Sequence, residues 1–146
     1  MAEVVPVKAI IAQLKTELQR ITKANGFQTD LGLSVSDVRS STGIPTAPAT
    51  TVAVTGKQRL DGGGVSVEGV VEIVLPATYA TAMSTVYDGA DDVERVLNEL
   101  SDRMTDGLVT GSGALPPIYN STTFLDRPEG MPVVAAEIVF TTGYRR

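Results

Sequence analysis

The stretch Val65-Ser66-Val67-Glu68-Gly69-Val70-Val71-Glu72-Ile73-Val74-Leu75 decides how this chain folds. Val65, Val67, Val71, Ile73 and Leu75 fall on one face of an extended segment, and Ser66, Glu68 and Glu72 fall on the other. A period of two sustained over this length is the pattern of a β-strand with one face in a core. Pro76 ends it, because proline cannot donate to a ladder. Just before it, Asp61-Gly62-Gly63-Gly64 supplies hairpin-turn chemistry. A second strand therefore begins at Val52 and Val54 and runs through Lys57 and Arg59. The polar face of the 65–75 strand is expected to meet water or another subunit.

Outward from this hairpin the periodicity changes. Val4, Val7, Ile11, Leu14, Leu18 and Ile21 recur at spacings of three and four, with Ile10 beside them, which predicts an amphipathic helix. Pro6 falls in its first turn, where proline is tolerated, and Asn25-Gly26 offers a stop. Leu31, Leu33 and Val35 alternate and predict a short strand, while residues 40–50, with Pro45 and Pro48, predict a loop. A second helix is expected from Asp91 and Asp92, acting as capping acids, through Val93, Val96, Leu97, Leu100, Met104 and Leu108. Glu99 and Arg103 form an i,i+4 pair on it, and Gly107 and Gly111 bracket its end. Residues 78–90 read as loop or a short helical turn. A strand is expected at residues 119–125, then a turn-rich connection over 126–132. The final strand alternates Val134, Ala136, Ile138 and Phe140 with Val133, Ala135, Glu137 and Val139, apolar on nearly both faces. Such a strand belongs in the middle of a sheet or under an interface. The sum is one α+β domain over residues 1–146, a mostly antiparallel sheet with two helices packed on one face.

Composition bounds the chemistry. The 146 residues contain no Cys, no His and no Trp. That removes a disulfide framework, a Cys/His zinc site, a haem histidine and a cysteine nucleophile. Twelve basic against 17 acidic side chains give a formal net charge of −5, the wrong sign for gripping phosphates. Residues 1–11 lack the basic start of a signal peptide, and no apolar run reaches the length of a membrane span. Asn120-Ser121-Thr122 fits a glycosylation sequon, read as chance in the absence of a secretion signal.

Motifs for catalysis or metal binding do not assemble. The run at 61–64 sits between two strand patterns with no Lys-Ser/Thr after it, so it is a turn and not a phosphate loop. Asp88, Asp91, Asp92 and Glu99 mimic the start of a calcium loop, yet Val93 stands where glycine is required. No Gly-x-Ser-x-Gly elbow exists, and no His can serve as base. A Ser–Lys pair stays open, since Lys8, Lys15, Lys23 and Lys57 are present. No catalytic residue, metal ligand or cofactor is assigned, and the chain is expected not to be an enzyme.

The helix exit Ala24-Asn25-Gly26-Phe27-Gln28-Thr29-Asp30-Leu31-Gly32, with the Val38-Arg39 that follows, resembles the opening of the tail terminator proteins of long-tailed bacteriophages. There an amphipathic helix leads through an Ala-Asn-Gly-aromatic-x-Thr-Asp turn into the first strand. The Glu72-Ile73-Val74-Leu75 strand, the second helix and the final apolar strand agree in order. The resemblance implies a structural virion protein that assembles as a homo-hexameric ring at the head-proximal end of the tail. Such a ring binds the major tail tube protein, stops tube polymerisation and presents a surface to the head-completion or neck connector proteins. Genomic DNA passes through its channel without specific binding, and no membrane is involved. The expected location is the tail–neck region of the virion, and the host cytoplasm during assembly. Another neck component, a head–tail joining or tail completion protein, is the near alternative; a small cytosolic enzyme is the remote one.

Candidate interface residues are Arg39, Ile44, Pro45, Lys57, Arg59, Glu68, Glu72, Tyr119, Arg145 and Arg146. The basic ones would pair with acidic patches on a neighbouring subunit. Subunit contacts are expected along the polar face of the 65–75 strand and the 40–50 loop. Axial partners are expected at the 111–119 loop and residues 143–146.

Overall fold

A computed structural model describes residues 6–36, 49–59, 61, 64–76, 82–105, 114–126 and 133–145. In chain order these form helix α1 (Pro6–Leu18), 3-10 turns at Lys23–Asn25 and Leu31–Ser34, and strand β1 (Val35–Ser36). Strands β2 (Ala49–Arg59) and β3 (Gly64–Pro76) follow, then helix α2 (Ala82–Thr105) and strands β4 (Ala114–Asp126) and β5 (Val133–Arg145). The strands make one sheet in the order β1-β2-β3-β5-β4. Only β1 and β2 run parallel; every other pair is antiparallel. The architecture is α+β, as the periodicities predict.

β3 is the centre of this sheet, paired with β2 on one side and along its whole length with β5 on the other. Val65, Val67, Val71, Ile73 and Leu75 are all buried. They join Val134, Ala136, Ile138 and Phe140 of β5 and the apolar stripes of both helices in one core. Gly69 interrupts the run of branched residues because it lies opposite Phe140. A Cβ at position 69 would meet the Phe140 ring and stand 2.9 Å from the carbonyl oxygen of Ala53. The ring of Phe140 fills that space instead and is itself fully buried. β5 lies between β3 and β4, and at its start Val133 and Ala135 are buried as well as Val134 and Ala136.

α1 buries Ile10, Leu14 and Leu18. It ends at Leu18, earlier than the apolar spacing predicts: Gln19 N–H still reaches the Lys15 carbonyl, but the two amides after it tighten to i−3 acceptors, Arg20 N–H to Glu17 and Ile21 N–H to Leu18. Asn25-Gly26 stops the separate turn Lys23–Asn25. Thr22 caps its start, and Gly26 closes it in the left-handed region at φ 88°. The Leu31, Leu33, Val35 alternation is not a strand. Residues Leu31–Ser34 wind into a 3-10 turn, with Leu31 buried and Leu33 79% exposed. The turn is fixed by Gly32 N–H donating to the Ile21 carbonyl at 2.8 Å and by Ser34 Oγ donating to the Leu31 carbonyl. Among the described residues, β1 consists of Val35 and Ser36.

α2 begins at Ala82, so most of the 78–90 segment is helix. Ala82, Val86, Ala90, Val93, Val96, Leu97 and Leu100 carry its buried stripe. Asp91 and Asp92 therefore stand within the helix and do not cap it. The expected 111–119 loop is also corrected, since β4 starts at Ala114. Pro116 and Pro117 are tolerated there because β4 is an edge strand, and its register shifts between Leu115 and Ile118. The 40–50 loop overlaps β2 at Ala49 and Thr50. Its remaining expected residues, like Val4, Leu108, Gly107 and Gly111, lie outside the described residues.

Gly32 makes a sharp test of this packing. A Cβ there would stand 2.6 Å from the Gln19 carbonyl oxygen and 2.7 Å from that of Ile21, and neither backbone atom can swing aside. Gly32→Ala should lower the unfolding free energy by about 2–3 kcal/mol, read by chemical denaturation. An unchanged midpoint would show that the turn does not pack against the end of α1.

Candidate functional site

The motif that carries the family resemblance is held from within the protomer. α2 presents Asp92, 1% exposed, to the segment that leads out of α1. Its carboxylate accepts hydrogen bonds from Gln28 N–H at 3.1 Å, Thr29 N–H at 2.9 Å and Thr29 Oγ1 at 2.7 Å. Three donors offset the cost of burying the charge. Next along α2, Arg95 Nη1 donates to the Gly26 carbonyl at 3.0 Å, and its guanidinium lies 4.2 Å from the centre of the Phe27 ring. Asp30 accepts from Lys23 N–H at 2.8 Å, and Asn25 Nδ2 donates to the Arg20 carbonyl at 2.9 Å. Asn25, Thr29 and Asp30 thus each bond within the chain.

A ladder of charges joins the two helices beside this clamp. Glu99 pairs with Arg95 at 2.8 Å and with Arg20 at 3.6 Å. The buried Glu17 takes Arg20 at 3.2 Å and also Arg103. Arg103 is therefore not the partner of Glu99 that helix spacing suggests; Glu99 is satisfied by the residue four before it and by Arg20, just past the end of α1.

The candidate interface residues scatter over the sheet. Residues 55–59 of β2 are all exposed, and Lys57 and Arg59 lie among them. The register places Lys57 opposite Val67 and Arg59 opposite Val65, on the same face as the core but toward the end of the hairpin. Lys57 Nζ donates to the Tyr144 hydroxyl at 3.4 Å and lies 6.0 Å from the centre of that ring. Glu68 is on the opposite face, level with Gly56 and Thr141. Between them lies a small open hollow lined by Gly56, Lys57, Gln58, Ser66, Glu68 and Thr141. The hollow exists because Gly56 has no side chain and the ladder slips between Val54 and Gly56. Thr55 Oγ1 donates to the Glu68 carbonyl across it.

Glu72 stands directly opposite Glu137 on that same face, both half-buried. Tyr119 does not join the hollow: it packs against the core, opposite Phe140, with its hydroxyl 2.6 Å from Thr122 Oγ1. Arg145 closes β5, paired with Gly64. Arg39, Ile44, Pro45 and Arg146 lie outside the described residues.

Sequence reasoning missed the exposed apolar side chains. Leu33 is 79% exposed, Ile118 61%, Tyr87 49% and Phe124 43%. Tyr87 of α2 and Phe124 of β4 meet edge to face with ring centres 4.8 Å apart. Phe124 shares the core face with Ala136, whereas Ile118 is level with Thr141 on the face away from the core.

Among the described residues no group of three or more metal-binding side chains converges, and no helix is long and apolar enough to cross a membrane. No protein-family model matches the chain, and no curated protein matches it either. Among solved structures it is similar to a chain described as "Virion of native gene transfer agent (GTA) particle". The TM-score is 0.57 at 18% identity, covering 93% of this chain and 98% of that one. At this identity the likeness is one of fold, and it runs nearly end to end in both chains.

The clamp predicts a specific lesion. Asp92→Asn keeps the shape but turns an amide NH2 toward donors that need an acceptor. It should cost about 2–4 kcal/mol, because charge-assisted bonds are lost and a buried donor is left unpaired. Hydrogen exchange at the Gln28 and Thr29 amides should accelerate before exchange in β3 does; protection unchanged at both amides would refute the clamp.

Proposed function

We propose that this chain is a structural virion protein that assembles as a hexameric ring at the head-proximal end of a phage tail tube. There it stops tube polymerisation and offers the surface on which heads join. The observation that carries the reading is the end-to-end fold likeness to a chain of a gene transfer agent virion. The resemblance of residues 24–32 to the opening of tail terminators supports the finer assignment.

Charge supports the same reading. Glu68, Glu72 and Glu137 share the sheet face opposite the helix-packed core. In this reading that face is suited to a channel: an acidic wall repels a passing phosphate backbone and lets it slide. A ring subunit also needs no catalytic group, and its contacts with neighbours close by rotation when they are heterologous.

Deleting the gene in the phage that carries it should yield tails of uncontrolled length, unjoined to heads, seen by electron microscopy. Tails of normal length would sink the terminator role. Purified protein should behave as monomer or hexamer by mass and dock on tube ends. Persistent dimers that ignore tubes would favour a different neck component. Glu68→Lys with Glu137→Lys should leave tail length unchanged while slowing DNA ejection; unchanged ejection kinetics would remove these residues from the channel wall.

A further inference from the structure

One row of paired residues crosses the entire sheet. Phe124 of β4 is paired with Ala136 of β5, Ala136 with Ile73 of β3, Ile73 with Thr50 of β2, and Thr50 with Val35 of β1. The two ends of the row are therefore at one height and on one face, about 19 Å apart at four interstrand steps. Each end carries exposed apolar surface. At the β4 end, the Tyr87–Phe124 pair forms a ledge. At the β1 end, Leu33 projects two residues before Val35.

Among the described residues the β4 edge is also open where this ledge stands. Natural edges are guarded by proline, lysine or bulges. On β4 those guards sit early: Pro116, Pro117 and two register shifts, all before Ser121. From Ser121 to Asp126 the strand pairs regularly with β5 and carries neither proline nor lysine. β4 runs opposite to β1 and β2. A junction that keeps the strands of adjacent copies aligned is thus antiparallel, the better-bonded geometry.

We propose that the occupant of this edge is a second copy of the same chain. The Leu33 side chain of one subunit seats on the Tyr87–Phe124 ledge of the next, beside an edge-to-edge pairing of β1 with residues 121–126 of β4. The contact is heterologous, so each subunit uses its ledge once and its Leu33 once, and repetition closes a ring. The proposal rests on the ring reading above and specifies which surfaces make it.

The chain has no Cys, so introduced thiols are the only ones present. Leu33→Cys combined with Phe124→Cys, treated with a short bis-maleimide, should give a ladder of crosslinked species ending at the mass of a closed ring. Each single variant should give none, because a heterologous interface brings unlike positions together. Both sites are exposed, and circular dichroism will check that the variants fold. Phe124→Glu should raise the concentration for half-assembly about thirtyfold, the effect of losing one hot-spot contact. A ring by mass without a ladder overturns this interface and leaves the ring standing. Single variants that crosslink as well as the pair also overturn it, since like would then meet like. Monomers at every concentration that give no ladder even when mixed with tube ends overturn both readings. A ladder combined with normal-length tails in the deletion strain supports the interface and removes only the terminator role.

Discussion

A carboxylate buried in the middle of a helix holds the opening of this chain against the rest of it. Without Asp92, nothing in the local sequence obliges residues 26–30 to lie on α2, for they form neither a helix nor a strand. With it, two backbone amides and one hydroxyl converge on one charge. That placement seats Leu31 in the core and sets Gly32 against the end of α1. From there the chain enters β1 at the register that starts the sheet. The charge is costly to bury, and only a full set of donors makes its burial tolerable. The same economy explains the ladder from Arg95 to Arg103, in which each charge between the helices meets an opposite one.

The sheet was legible in the sequence wherever one face is dry and the other is not. Val65 to Leu75 alternates because α2 and Phe140 cover one side, whereas β5 opens with Val133 to Ala136 buried on both sides and so shows no alternation there. What misled was the same signal at short range. Leu31, Leu33 and Val35 alternate like a strand, yet a 3-10 turn also separates the directions of residues two apart. The start of α2 was hidden by Tyr87 and Gly89. The tyrosine is half exposed on the apolar side of the pattern, and the glycine is required because Leu31 occupies the space of its side chain. Asp91-Asp92 looked like a cap because acids at a helix start are common, whereas a buried acid serving a loop more than sixty residues earlier leaves no local trace.

The candidate residues fared unevenly for a related reason. Charge and exposure go together, so Lys57, Arg59 and Glu68 were found on open surface from composition alone. Register is needed to see that Glu68 faces away from Lys57, and that Tyr119 belongs to the core. Apolar contact residues leave the opposite problem. Leu33 and Phe124 look like core in any sequence, and only the fold shows that they are not. The chemistry of this protein, in the reading proposed, lies in such surfaces.

The order of strands has a consequence for timing. β5 is the last described strand in the sequence, yet it occupies the position between β3 and β4. Both strands emerge from the ribosome before the one that joins them. Until β5 arrives, β3 has a bare side and β4 has no sheet to belong to. Long-range pairing of this kind is slow and leaves unpaired backbone exposed meanwhile. The late strand also sets the timing of β4, whose outer edge acquires its geometry only once β5 has joined β3. A half-made chain therefore lacks the ordered outer edge of β4.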